Sequence, residues 1–221
     1  MQAFFRKYLI FFSVLGVLSI LIMTLFYLAL KPKKRLPIFN PSDVNPELVD
    51  TTVQFIRKHH TVSDFSFINQ NGDTITQKNY EGKIYVADFF FTTCGSICPK
   101  MTANLSEIQA AFLKNPKVMF LSHTIFPEID SVPVLKKYAK KNGVIDSKWN
   151  LVTGNKKAIY ALARQSYLAV KLGNPEELYD MVHTENFVLV DDKRQIRGFY
   201  DGTKKEDVQQ LIKDIQFLCE P

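Results

Sequence analysis

The stretch that decides the fold reads Ile84-Tyr-Val-Ala-Asp-Phe-Phe-Phe91, followed by Thr92-Thr-Cys94-Gly-Ser-Ile-Cys98-Pro99. An apolar run of this length is typical of a strand that is buried on both faces, in a sheet covered by helices. Pro99 favours the first turn of a helix. Apolar residues spaced three and four apart predict that this helix continues to about Leu113. The cysteines therefore lie in a loop between a central strand and a helix.

Strands and helices alternate on both sides of this stretch. Asn71-Gly72 predicts a tight turn, and so a hairpin of two strands at residues 65–68 and 74–76. Further strands are predicted at residues 118–121, 151–152, 187–190 and 196–200, and further helices at residues 134–139, 156–167 and 203–218. We therefore expect an α/β domain with a thioredoxin-like central sheet flanked by helices and an extra N-terminal hairpin.

The first 35 residues predict a membrane anchor. Tyr8 to Leu30 are 23 residues without a charged side chain, and a helix of that length spans roughly 34 Å, enough for a hydrocarbon layer of ~30 Å. Because no clear small-x-small cleavage site follows, we expect one uncleaved N-terminal transmembrane helix. We assign residues 1–35 to the anchor, residues 36–58 to a Pro-containing linker and residues 59–221 to the thioredoxin-like domain.

The net charge of +6 belongs to the flanks of the anchor. Six of the 28 basic residues lie before residue 36 and no acidic residue does, so the remaining chain carries 22 of each sign. We therefore expect contact with a membrane through the N-terminal helix and no nucleic-acid partner. Two basic residues precede the span and four follow it, a weak bias that by charge alone would place the domain in the cytosol.

Cys94 and Cys98 are the candidate functional pair. Their position near the start of a helix favours thiolates, which both attack disulfides and bind metals. The alternative is a structural disulfide that only stabilises the loop. Cys219, at the end of the last helix, has no partner at useful spacing and is predicted to be a buried or idle thiol.

His183 is the candidate third ligand, at the entrance of the strand predicted at residues 187–190; the alternative is an ordinary exposed loop histidine. Two thiolates and one imidazole would form a soft, three-coordinate site suited to Cu(I) and acceptable to Cu(II). His123 is a rival ligand, because its strand should run parallel to the central strand and end at the same edge. We expect His59-His60 to be solvated, and Asp88 to be either a structural aspartate or a carboxylate near the thiols.

In these residues the chain resembles the Sco/SenC family, thioredoxin-like copper proteins involved in assembling the binuclear copper centre (CuA) of cytochrome c oxidase. The resemblance covers about residues 64–218. It is carried by Asp64-Phe-Ser-Phe, Asn71-Gly72, Gly82-Lys83, Phe91-Thr-Thr-Cys94-Gly-Ser-Ile-Cys98-Pro99-Lys-Met101, Trp149 with Thr153-Gly154, and His183 before Phe187-Val-Leu-Val-Asp191. One departure is Phe126, which stands where the family usually has an aspartate; this weakens the case for a carboxylate near the metal.

The resemblance implies that Cys94, Cys98 and His183 bind one copper ion. It also implies a domain on the periplasmic face of a bacterial inner membrane, an upstream copper donor, and cytochrome c oxidase subunit II or another copper acceptor as partner. We expect a metallochaperone rather than an enzyme. The alternative function is a thiol-disulfide oxidoreductase that uses Cys94 and Cys98 as a redox pair to reduce a partner's cysteines. The sequence leaves the oxidation state of the copper open.

Overall fold

The computed structural model describes residues 2–30, 35–172, 181–183 and 185–220. The chain divides into two compact units, Met1–Arg35 and Leu36–Pro221. The first unit contains helix α1 (Gln2–Leu30). Its segment Phe11–Leu28 has a mean hydropathy of 2.4 and no buried residue, so it is long and apolar enough to cross a membrane by length and composition.

The second unit is built on a seven-stranded sheet. The strands of this sheet are β1 (Ser66–Asn69), β2 (Thr74–Thr76), β3 (Ile84–Phe90), β4 (Val118–Thr124), β5 (Trp149–Thr153), β8 (Asn186–Val190) and β9 (Ile196–Asp201). Their order across the sheet is β2-β1-β5-β4-β3-β8-β9. Strands β3, β4 and β5 are parallel, and the others pair antiparallel. Two short strands, β6 (Val170–Leu172) and β7 (Met181–His183), pair separately.

Helices cover both faces of the sheet and complete three layers. The helices are α2 (Cys98–Ala111), α3 (Val132–Lys141), α4 (Lys156–Ala161) and α5 (Lys205–Cys219). One layer joins α2, α3 and α5 to the sheet through Leu105, Leu135 and Leu211. The other contains Ile159 of α4 and Val49. The expected thioredoxin-like α/β architecture is confirmed, including the extra hairpin β1–β2, whose turn contains Gly72 at φ +84°.

The central strand is the best predicted element. All seven residues of β3 are buried, as the apolar run indicates. Alternate residues belong to opposite layers: Val86 and Phe90 contact the α2 layer, whereas Tyr85 and Phe89 contact the α4 layer.

Residues 36–58 differ from the extended linker that their prolines predict. They belong to the second compact unit and form two single 3₁₀ turns, Pro41–Asp43 and Pro46–Leu48. Val49 is fully buried, and the backbone N–H of Phe39 donates to Ile196 at 2.9 Å. Apolar residues between and after the prolines pack into the core. The prolines therefore mark turns in the folded unit rather than an unattached segment.

We predict that Val49→Ala lowers the free energy of unfolding by about 2 kcal/mol, because it leaves a cavity in the core. Urea denaturation of the fragment 36–221 measures the effect. The matched control is Phe55→Ala, since Phe55 is 74% exposed and its removal should change stability by less than about 0.5 kcal/mol. Equal stability of Val49→Ala and wild type would show that residues 36–58 do not belong to the folded unit.

Candidate metal centre

The cysteine loop joins the end of β3 to the start of α2. Cys94 is half-buried in the loop, and Cys98, the first residue of α2, is 1% exposed. The Cys94 N–H donates to the carbonyl oxygen of Phe91 at 3.2 Å. The Cys98 N–H donates to the Cys94 sulfur at 3.5 Å. The structure thus brings the two sulfurs together where β3 ends and α2 begins.

The two thiols differ in acidity. Burial disfavours the Cys94 thiolate, but hydrogen bonds from the Cys98 thiol and from the backbone of Ser96 and Cys98 outweigh it, so the pKa of Cys94 is lowered. Burial, together with the hydrogen bond to Cys94, raises the pKa of Cys98. Cys94 is therefore the more readily ionised thiol and Cys98 its buried, protonated neighbour.

A buried carboxylate lies in the layer below Cys98. Asp88 of β3 is 3% exposed and accepts a hydrogen bond from the Ser122 hydroxyl. The Ser122 oxygen in turn accepts from Trp149 Nε1 at 2.8 Å. Burial raises the pKa of Asp88 to about 7. The charge of Asp88 also contributes to the raised pKa of Cys98, so this aspartate is close enough to act on the site.

The departure at Phe126 has a clear structural outcome. The Phe126 ring packs against Phe91 at 5.4 Å between centroids, and Lys156 Nζ lies 5.7 Å from the Phe126 centroid. Position 126 therefore supplies no carboxylate. A carboxylate nevertheless contacts the cysteine loop, because the fully buried Asp130 accepts hydrogen bonds from Thr92. Its one signal in the sequence is its position just before Ser131, the residue that precedes α3.

His123 lies on the face of the sheet away from the cysteines. Side chains alternate along β4: Ser122 contacts Asp88, whereas His123 packs against a cage of four aromatic rings, those of Phe65, Phe67, Phe89 and Tyr167. Neither ring nitrogen has a hydrogen-bond partner. Burial lowers the pKa of His123 to about 3. The hypothesis that His123 is a rival ligand of the cysteine site is wrong.

The remaining candidates lie elsewhere. His60 is 7% exposed and its Nε2 lies 2.8 Å from the carbonyl oxygen of Ser166, so it is not the solvated residue that we expected. Cys219 is half-buried and accepts a hydrogen bond from Asn115 at 3.3 Å. The backbone of His183 pairs with Val170 in the β6–β7 sheet, but its side chain lies outside the described residues. Among the described residues, no three His, Cys, Asp or Glu side chains are grouped to hold a metal.

Comparison with known proteins identifies the family. The SCO1/SenC family model matches residues 54–220. The chain belongs to the SCO1/SenC family. The SCO1 protein homolog of Bacillus subtilis is 29% identical over 160 residues, which cover 72% of this chain and 82% of the relative. A SCO1/SenC family lipoprotein from Bacillus anthracis is similar in structure, with a TM-score of 0.66, 30% identity, and coverage of 73% of this chain and 96% of that one.

A third relative has a ligand. The structure of Arabidopsis thaliana ScoI with copper bound has a TM-score of 0.58 and 25% identity to this chain, and the match covers 71% of this chain and 99% of that one. Sco proteins are known as copper-binding proteins of cytochrome c oxidase assembly. The Cys94–Cys98 pair fits a soft metal in its donor chemistry, because two sulfurs are adjacent and one is readily ionised.

We predict that iodoacetamide modifies Cys94 at least about tenfold faster than Cys98 near neutral pH, because only the thiolate reacts. Peptide mass mapping of the reduced chain measures both rates and separates them from that of Cys219. In Cys94→Ser, Cys98 should remain slow, which controls for simple competition between the thiols. Equal rates for the two cysteines would contradict the assigned acidities.

We predict that Asp88→Asn stabilises the domain at pH 8 and has little effect at pH 4. The carboxyl has a pKa of about 7 in the folded chain, against 3.8 as the ordinary value. The native state therefore binds more protons than the unfolded state between these values, and stability falls as pH rises through that window. Complete removal of the cost of ionising Asp88 would raise the free energy of unfolding at pH 8 by up to about 4 kcal/mol.

Urea denaturation of reduced wild type and Asp88→Asn at both pH values measures the difference. The asparagine retains an oxygen that can accept from Ser122. A difference between the two proteins that is independent of pH would show that Asp88 keeps an ordinary pKa when folded.

Proposed function

We propose that this chain is a membrane-anchored copper chaperone that binds one copper ion through Cys94, Cys98 and His183. The observation that carries the proposal is the pair of adjacent sulfurs, of which Cys94 has its pKa lowered by hydrogen bonds from Cys98 and Ser96. Thiolates are the preferred ligands of Cu(I), and an imidazole completes a three-coordinate soft set. Cu(II) would require further oxygen ligands.

Copper is the cargo of this protein and not a catalyst. Cys94 is half-buried and Cys98 buried, so an acceptor's thiolate can approach the metal at Cys94. Exchange of ligands would then move the ion without free copper in solution. Because Cys98 is protonated in the metal-free chain, loading releases its proton, and copper affinity should rise with pH.

The acceptor that we propose is the CuA site of cytochrome c oxidase subunit II, to which the protein delivers copper or whose thiols it prepares. This follows from the SCO1/SenC family and its link to oxidase assembly. Helix α1 would anchor residues 1–35 in a bacterial inner membrane, with the domain in the periplasm and an upstream donor supplying copper. That orientation would oppose the weak charge bias across the span.

The unequal acidities of the thiols favour a second candidate function, thiol-disulfide exchange. The Cys94 thiolate would attack a partner's disulfide and form a mixed disulfide, releasing one partner thiolate. Cys98 would then lose its proton and attack the Cys94 sulfur. The products are a reduced partner and a Cys94–Cys98 disulfide, and a thiol reductant would have to restore the pair.

We predict that the reduced protein binds one copper ion and that Cys94→Ser, Cys98→Ser and His183→Ala each weaken binding by at least about tenfold. Competition with a chromophoric Cu(I) chelator gives stoichiometry and affinity. His123→Phe is the matched control: it keeps an aromatic ring in an aromatic cage, so copper affinity should not change.

The same variants distinguish the two candidate functions. His183→Ala should retain disulfide exchange if exchange is the function, whereas Cys94→Ser should lose both activities. Absence of tight copper binding by the reduced wild type would refute the chaperone function and leave Cys94 and Cys98 as a redox pair.

A further inference from the structure

Asp130 is a buried carboxylate whose hydrogen bonds converge on the cysteine loop. It is fully buried, and no ion pair among the described residues includes it. Its oxygens accept from the Thr92 hydroxyl at 2.5 Å, from the Thr92 N–H at 3.2 Å and from the Thr124 hydroxyl. Burying a carboxylate without a cation is costly, so these donors must hold it in place.

One of these bonds reaches Cys94 through a single peptide group. The Thr92 N–H and the Phe91 carbonyl belong to the same planar peptide and point in opposite directions. Asp130 accepts from the N–H, and the carbonyl accepts from the Cys94 N–H at 3.2 Å. A rotation of this peptide that broke the first bond would also move the acceptor on which the Cys94 backbone depends.

The effect extends to the second cysteine through Cys94, whose sulfur accepts from the Cys98 N–H at 3.5 Å. Asp130 thus fixes a segment, Phe91–Thr92, that bonds to the first cysteine and through it to the second. The Thr124 hydroxyl, which donates to Asp130, also accepts from the Phe126 N–H at 3.0 Å. The network therefore also fixes the loop that follows β4 relative to the cysteine loop.

We propose that Asp130 is a positioning residue of the metal centre: by fixing the Phe91–Thr92 peptide it sets the orientation of the Cys94 backbone and hence the spacing of the two sulfurs. As far as copper is concerned, this inference rests on the proposed function. Asp130 does not contact the metal in this role. Its loss should change the reactivity of the cysteines as well as the stability of the domain.

The test uses the full-length, reduced chain in detergent and the variant Asp130→Asn. Two quantities are measured: the pH profile of Cys94 alkylation by iodoacetamide, and the affinity for Cu(I) by chelator competition. We expect the Cys94 profile to move to higher pH and the copper affinity to fall about tenfold or more, as for other residues that orient metal ligands.

Asp191→Asn is the matched control. Asp191 is 3% exposed and holds the β8–β9 turn by accepting from the N–H groups of Lys193 and Gln195. That turn follows Val190, which pairs with Tyr85 near the start of β3, so it lies at the end of the sheet away from the cysteines. Loss of this second buried carboxylate should lower stability and leave both cysteine measurements unchanged.

A second pair of variants removes one bond without touching the carboxylate. Thr92→Val loses the hydroxyl but keeps the shape, and should shift both measurements in the same direction as Asp130→Asn. Thr92→Ser keeps the hydroxyl and should restore wild-type values. This pair decides the question if Asp130→Asn does not fold.

The proposal is overturned if folded Asp130→Asn matches wild type in both measurements, if Asp191→Asn changes them equally, or if Thr92→Val and Thr92→Ser behave alike. If the wild type binds no copper, the proposed function fails, but the alkylation profiles still decide the role of Asp130.

Discussion

The register between β3 and β4 is the constraint on which the site depends. Parallel pairing places Asp88 opposite Ser122 and Phe89 opposite His123. Because successive side chains point to opposite faces, this one register places Asp88 and Ser122 in the layer of Cys98 and sends His123 into the aromatic layer. A slip of one residue would exchange the two sets and put a histidine beneath the cysteines.

Apolar packing makes this register hard to change, and it also makes charge costly. Val86 and Phe90, both buried, flank Asp88, and the Ser122 hydroxyl donates to its carboxyl. The raised pKa of Asp88 and the lowered pKa of His123 both arise mainly from burial. Each group thus favours its neutral form. The burial of these two polar side chains contributes little to the stability of the sheet.

The sequence was sufficient for the elements that local pattern determines. The continuous apolar run of β3, Asn71-Gly72 in the first hairpin, and the position of Pro99 in α2 all have physical meanings that hold without tertiary context. The proximity of Cys94 and Cys98 followed from these elements, because a strand and a helix on either side of a short loop confine both sulfurs to a small region.

The remaining features depend on contacts distant in sequence. Prolines in residues 36–58 indicate turns but not that Val49 enters the core. Whether His123 shares a face with the cysteines depends on where β4 begins, which a short apolar run does not determine. The role of Asp130 depends on its meeting Thr92, 38 residues away. The ligand role of His183 stays a prediction.

On the proposed chaperone function, the difference in acidity within one pair of thiols would link copper binding to copper release. Cys94 is the more readily ionised thiol because several donors stabilise its thiolate, so an incoming soft metal would meet this sulfur first. Completion of the chelate would require the proton of Cys98 to leave from a buried site, where the protonated form is favoured. When an acceptor's thiolate began to displace Cys98, the return of that proton would stabilise the opened state. Burial of Cys98 would therefore lower the affinity for copper and at the same time favour its transfer, which is the balance that a chaperone needs and a permanent metal site does not.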